Sequence, residues 1–334
     1  MACAIVNRQL LNGRAMTHRF RLPLVAAALA ALALHSSMAD AQQGAAFVVA
    51  ETGQQFARLQ DAVNAIGDGA GTVRIAPGRY GECSVQTMGD VAYVAAVPGQ
   101  TVFDGGTCEG KGTLVLRGRS ARVEGLIFTN IKVADFNGAG IRLEHGNLAV
   151  SQSWFRDSQQ GILAGEDTSA AITIDKSTFT RLGTCEGPGG CAHSIYIGNY
   201  GALTVTRSRF EAGRGGHYVK SRAARIGVIN NSFDYTDRRA TNYIIDLPAG
   251  AIGRIANNWF VQGPRKENST AMIAVAAAQR GAAPPPMFGP PPAPHPPPVP
   301  SGLPAPPPPL PLPLPLPPPP PPPATPGAPP GSDR

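Results

Sequence analysis

The chain has 334 residues, a formal net charge of +7, 35 prolines and 39 glycines. That length could hold one large domain or two, but the composition is uneven and both ends must be set aside before a folded core is sought. Residues 42–281 keep 24 of the 29 basic and 20 of the 22 acidic side chains, a net charge of only +4, and they lack the dense basic, aromatic-interleaved stripe of a nucleic-acid binder.

At the N-terminus, Arg19 and Arg21 precede the apolar run Leu24 to Leu34, and Ala39-Asp40-Ala41 supplies the small-x-small pattern that a signal peptidase accepts. This predicts a secretory signal over 1–41, with Met16 as an alternative start. The protein is then exported, to the periplasm, the cell envelope or the extracellular space. The apolar run is about half the length of a membrane-spanning helix, so no stable membrane insertion is expected once the signal is removed. A retained anchor is the alternative.

Next, FARLQDAVNAIGDG (56–69) has the apolar spacing of one short amphipathic helix, followed by a strand over TVRIAPGRY (72–80). Such a helix would close the open N-terminal end of a solenoid, where a bare edge invites aggregation. Cys3 is lost with the signal, leaving Cys83, Cys108, Cys185 and Cys191. An even count in an exported chain favours two disulfides, most simply Cys83 to Cys108 and Cys185 to Cys191. A metal site is the alternative, but no CxxC or His-x-His spacing supports it, and no cofactor is expected.

The main signal is an internal repeat: LAVSQSWF (148–155), ITIDKSTF (172–179), LTVTRSRF (203–210), IGVINNSF (226–233) and GRIANNWF (253–260). Each has an apolar residue, Ser or Asn three later, and Phe two after that, with Phe128 as a looser earlier member. Units of about 25 residues indicate a solenoid, and their period-two alternation and β-branched residues indicate strands. Ser153, Ser177, Ser208, Asn231 and Asn258 would stack by side-chain hydrogen bonds. Val150, Ile174, Val205, Val228, Ile255 and the Phe column would fill the interior.

A second strand family lies between these units: GIRL (140–143), GILA (161–164), SIYI (194–197), YVKS (218–221) and IIDL (244–247). From about Ala282 onward proline dominates, which predicts a disordered polyproline-II tail over 282–334. The tail is either a spacer through the envelope or an inert extension.

These features predict an all-β chain: one single-stranded right-handed parallel β-helix over 42–281, monomeric, with a capping helix. FARLQDAV and GTVRIAPGRYGE resemble the opening of pectin-lyase-like β-helix proteins, pectin methylesterases among them. Such a resemblance implies fold more than activity. AHSIYIG and GGHYVKSR resemble exported bacterial β-helix proteins carrying GH-x-x-KSRA segments. GPGGCAHSIYIG (187–198) is also similar to the Gly-His-Gly motif of polygalacturonases, and HYVK (217–220) partly matches their Arg-x-Lys, with Tyr218 in the place of the Arg.

Aligning the second family on Ile141, Ile162, Ile195, Val219 and Ile245 gives an outward column of Arg142, Leu163, Tyr196, Lys220 and Asp246. His193, His217 and Arg222 are expected on the same face, so the candidate catalytic set is His193, Tyr196, His217, Lys220, Arg222 and Asp246. The plainer reading is a polar exterior with a Lys220–Asp246 ion pair. Inverting hydrolysis needs two carboxylates across the bond. Glu166 and Asp167 are adjacent acids in a turn, which leaves only Asp246 well placed.

β-Elimination on a uronic-acid polymer asks instead for a cation on the C6 carboxylate, a base for the C5 proton and an acid for the leaving oxygen. Arg222, then Lys220 or His217, then Tyr196 or His193 would serve. The expected partner is therefore an acidic polysaccharide or envelope glycan, acted on by a lyase, with a hydrolase or a non-catalytic binder as alternatives. As exposed side chains, Lys220 and Arg222 should each cost within about 0.5 kcal/mol of stability when truncated.

Overall fold

A computed structural model describes residues 45–236, 241–264 and 266–276; the signal expected over 1–41 and the tail expected over 282–334 lie outside them. Each repeat segment becomes two strands joined by a bend. In the first, Asn147–Ser151 and Trp154–Arg156 flank Gln152 and Ser153. The bend is made by a residue in the left-handed region: Gln152, Lys176, Arg207, Asn230 and Asn257 have φ between 47° and 60°. That conformation is uncommon outside glycine, and the residue that follows holds each bend in place.

That next residue is the Ser or Asn of the repeat. Ser153 N–H donates to Ser177 Oγ (3.3 Å), and Ser177 N–H to Ser208 Oγ (3.1 Å). Ser208 N–H donates to Asn231 Oδ1, and Asn231 N–H to Asn258 Oδ1, both at 2.9 Å. The expected ladder is present, and it ties every bend to the next coil.

The strands form three sheets, the first of ten strands and the others of eight each. Successive coils pair in parallel, so the described residues form a parallel β-solenoid, nearly all β with one short helix among them. Phe103, Phe128, Phe155, Phe179, Phe210, Phe233 and Phe260 stack down its interior, with ring centroids 4.7 to 5.6 Å apart. Phe103 extends the column by one coil beyond the repeat visible in the sequence.

The helix Leu59–Ile66 buries Leu59, Ala62 and Val63. Gln60 covers the edge strand Ser84–Gln86: its Oε1 accepts Val85 N–H at 2.7 Å and its Nε2 donates to Val85 O at 2.9 Å. One local expectation is corrected. The strand expected over 72–80 is two, Ala70–Ile75 and Gly78–Tyr80, in different sheets. Pro77 between them has no N–H to continue a ladder. An antiparallel pair, Phe47–Val49 and Gln54–Phe56, extends the first sheet, a feature the repeat gave no sign of. Both cysteine pairs lie at disulfide distance as expected, Cys83 with Cys108 and Cys185 with Cys191.

Candidate functional site

Strands Ile195–Ile197, Val219–Ser221 and Ile245–Leu247 are neighbours in the third sheet. Ile195 pairs with Val219 and Val219 with Ile245, which sets Tyr196 beside Lys220 and Lys220 beside Asp246 on the outer side. Before each strand the chain brings in a ring. His193 stacks on His217 at 5.0 Å and His217 on Tyr243 at 5.6 Å.

These rings also bond the coils together. His217 N–H donates to His193 Nδ1 (2.9 Å), and Tyr243 N–H to His217 Nδ1 (3.1 Å). With its Nδ1 accepting, the His193 imidazole carries its proton on Nε2 and is neutral. Gly216, at φ 63°, makes this approach possible, because a Cβ there would lie 2.2 Å from Ala192 O and 2.4 Å from His193 Nδ1.

The charged groups converge from the next two coils. Asp246 Oδ2 lies 3.4 Å from His217 Nε2 and 3.8 Å from Lys220 Nζ. Arg222 donates through Nη1 to Tyr196 Oη, and the Lys220 and Arg222 cations each sit 5.4 Å from the centre of the Tyr196 ring. His193, Tyr196, His217, Lys220 and Arg222 line one cavity of about 360 Å³, and Asp246 supports it through His217 and Lys220. All six candidate residues are thus brought together.

Burial shifts their proton affinities. Desolvation first, then the nearby His217, Lys220 and Arg222, holds His193 down at about 2. His217 is lowered by burial against the opposing pull of Asp246. Lys220 is lowered by burial too, with Arg222 adding to that effect and Asp246 opposing it.

Depth is where the structure departs from expectation. His193 is 4 % exposed and Asp246 6 % exposed, rather than lying on an open outer face. A neutral, buried His193 is a poor proton donor. The Lys220 side chain is only 21 % exposed, so its truncation is not the near-neutral surface change expected of it. Tyr218, in the place of the Arg of the polygalacturonase motif, points inward and donates to Asp234 O.

The recess exists because loops fold over the sheet edge. Gly189, Gly190 and Cys191 form one wall, and Asn242 and Glu267 another. Sequence reasoning missed Asn242 and Glu267, which lie outside the aligned columns. Asp167, by contrast, accepts from Gly146 N–H and from Ser169, as a turn residue does. A larger recess of about 690 Å³ lies on the outer face of the first sheet, among Gly71, Ala92, Ala149 and Ala171. Volume and chemistry therefore point to different places, and chemistry favours the third sheet. Among the described residues no three His, Cys, Asp or Glu side chains converge to hold a metal ion.

Fold and site together define a β-solenoid with a recessed ladder of imidazole, phenol, cation and carboxylate. Comparison with family models, curated proteins and solved structures returns no match.

Proposed function

We propose that this is an exported protein that binds an acidic polysaccharide, a uronic-acid polymer, in the ladder cavity and cleaves it by β-elimination. The observation that carries this reading is the convergence of Lys220 and Arg222 on Tyr196 at the cavity wall. Two disulfides suit an oxidising, exported setting.

In this reading Arg222 neutralises the C6 carboxylate and so makes the C5 proton easier to remove. Lys220 takes that proton as its neutral amine, a form that burial favours. The C5–H electrons form the C4–C5 double bond as the C4–O bond breaks, and Tyr196 gives its proton to the departing oxygen. Asp246, itself against His217, holds Lys220 in place.

One observation favours hydrolysis as the second reading. Glu267 on the cavity wall adds a carboxylate to Asp246, and hydrolysis needs such a pair.

A panel of uronic-acid polymers, read by ultraviolet absorbance of unsaturated product and by new reducing ends, separates the readings. β-Elimination gives both signals, and Lys220→Ala and Arg222→Ala abolish them while the fold is retained by circular dichroism. Reducing ends without absorbance mean hydrolysis, with Glu267→Gln then inactive. Binding without either signal means a glycan-binding protein, and no interaction with any uronate polymer overturns the site.

A further inference from the structure

The chain contains two tryptophans, and both lie outside the core, on the outer face of the second sheet. Trp154 is 36 % and Trp259 71 % exposed, although tryptophan is on average a highly buried residue. They also share one column: Trp154 pairs with Thr178, Thr178 with Arg209, Arg209 with Ser232, and Ser232 with Trp259. Four steps at about 4.8 Å put the rings roughly 19 Å apart along a rigid sheet.

We infer that this strip is a second glycan-binding surface, which seats an extended oligosaccharide along the solenoid axis with a sugar ring on each tryptophan. The rungs between the rings decide what kind of partner fits. Thr178, Arg209 and Ser232 offer hydroxyls and a guanidinium, with Arg209 held by Glu211 at 2.6 Å. A lipid surface or an apolar protein partner asks for a contiguous apolar patch, and these polar rungs interrupt it. A saccharide presents both chemistries at once: apolar C–H faces that stack on indole, and hydroxyls or carboxylates that hydrogen-bond between the stacks. The Arg156 guanidinium, 4.8 Å from the centre of the Trp154 ring, adds a cation at one end. The strip belongs to a different sheet from the ladder cavity, so the two sites are separable by mutation.

Because there are only two indoles, intrinsic fluorescence reports on the strip directly. The full-length protein is titrated with oligogalacturonate, cello-oligosaccharide and chito-oligosaccharide. At least one of them is expected to shift or quench the emission saturably. Trp154→Ala and Trp259→Ala should each weaken binding roughly two- to tenfold, the range for loss of one stacked ring. Trp154→Phe and Trp259→Phe retain most of it, and unchanged melting temperatures show that folding is intact. Lys220→Ala, which disables the cavity, should leave the titration unchanged. The inference is overturned if no saccharide alters the emission, if isothermal titration finds undiminished affinity when both tryptophans are replaced by alanine in the Lys220→Ala background, or if Lys220→Ala alone abolishes the response. Emission that shifts only with phosphatidylcholine vesicles overturns it in favour of a lipid surface.

Discussion

The side chain of Asn231 accepts Ser208 N–H at 2.9 Å and donates to Val205 O at 2.9 Å and to Asn258 Oδ1 at 3.0 Å, almost wholly out of solvent. Truncation would leave a buried donor and a buried acceptor unpaired, so Asn231→Ala is expected to cost about 2–4 kcal/mol in urea unfolding. Asn231→Ser should cost less, because Ser holds the same place in three earlier coils. His193 makes a similar bond and adds a titration. Its folded value of about 2 lies below the ordinary 6.5, so the unfolded chain binds the proton first as pH falls. Stability from this group is therefore complete above about pH 6.5 and declines through the window down to about pH 2. The slope is at most about 1.4 kcal/mol per pH unit. His217, lowered by the same burial, adds in the same direction. His193→Asn keeps an acceptor for His217 N–H but cannot titrate, so its melting temperature should fall less between pH 7 and pH 4 than that of the wild type. An equal fall in both proteins would refute the assignment.

At the level of elements, the two disulfides do different jobs. Cys83 and Cys108 are 25 residues apart and join successive coils near the capped end. Their loop entropy corresponds to about 3.5 kcal/mol, and Cys83→Ser with Cys108→Ser should lose an amount of that order. Cys185 and Cys191 span only six residues, and Ala192 N–H already closes the same loop on Thr184 O at 2.7 Å. The second bridge therefore has less to add to stability, and it acts on the cavity wall formed by Gly189, Gly190 and Cys191. Cys185→Ser with Cys191→Ser is expected to lower the midpoint of thermal unfolding less than the first pair does, and to weaken uronate binding more. The capping helix shows the same economy. One glutamine side chain satisfies both backbone groups of Val85 at a sheet edge that would otherwise be open.

Over the whole molecule, legibility follows how strictly each coil constrains its residues. From the coil of Phe155 to that of Phe260, each coil supplies one inward Phe and one Ser or Asn after the bend, so the repeat and the registers could be read directly there; one coil earlier Leu126 follows the bend instead. Aligning Ile195, Val219 and Ile245 placed Tyr196, Lys220 and Asp246 in the row they occupy. Depth could not be read that way, because it depends on loops that differ between coils. Only 157–159 separates the second and third sheets in one coil, whereas 181–194 does so in the next, and that longer loop walls the cavity and buries His193. Asn242 and Glu267 escaped notice for the same reason. The stacked architecture also sets how damage spreads, since each coil contacts chiefly its neighbours and stability is close to a sum of coil and interface contributions. Phe179 lies fully buried between Phe155 and Phe210, at 4.9 and 4.7 Å. Phe179→Ala should cost about 3–5 kcal/mol and, by opening the middle of the stack, should split the urea transition into two steps. Phe260 is only partly buried in the last described coil. Phe260→Ala should therefore cost clearly less and leave a single transition. A single urea transition for Phe179→Ala would mean that the solenoid unfolds as one indivisible unit rather than coil by coil.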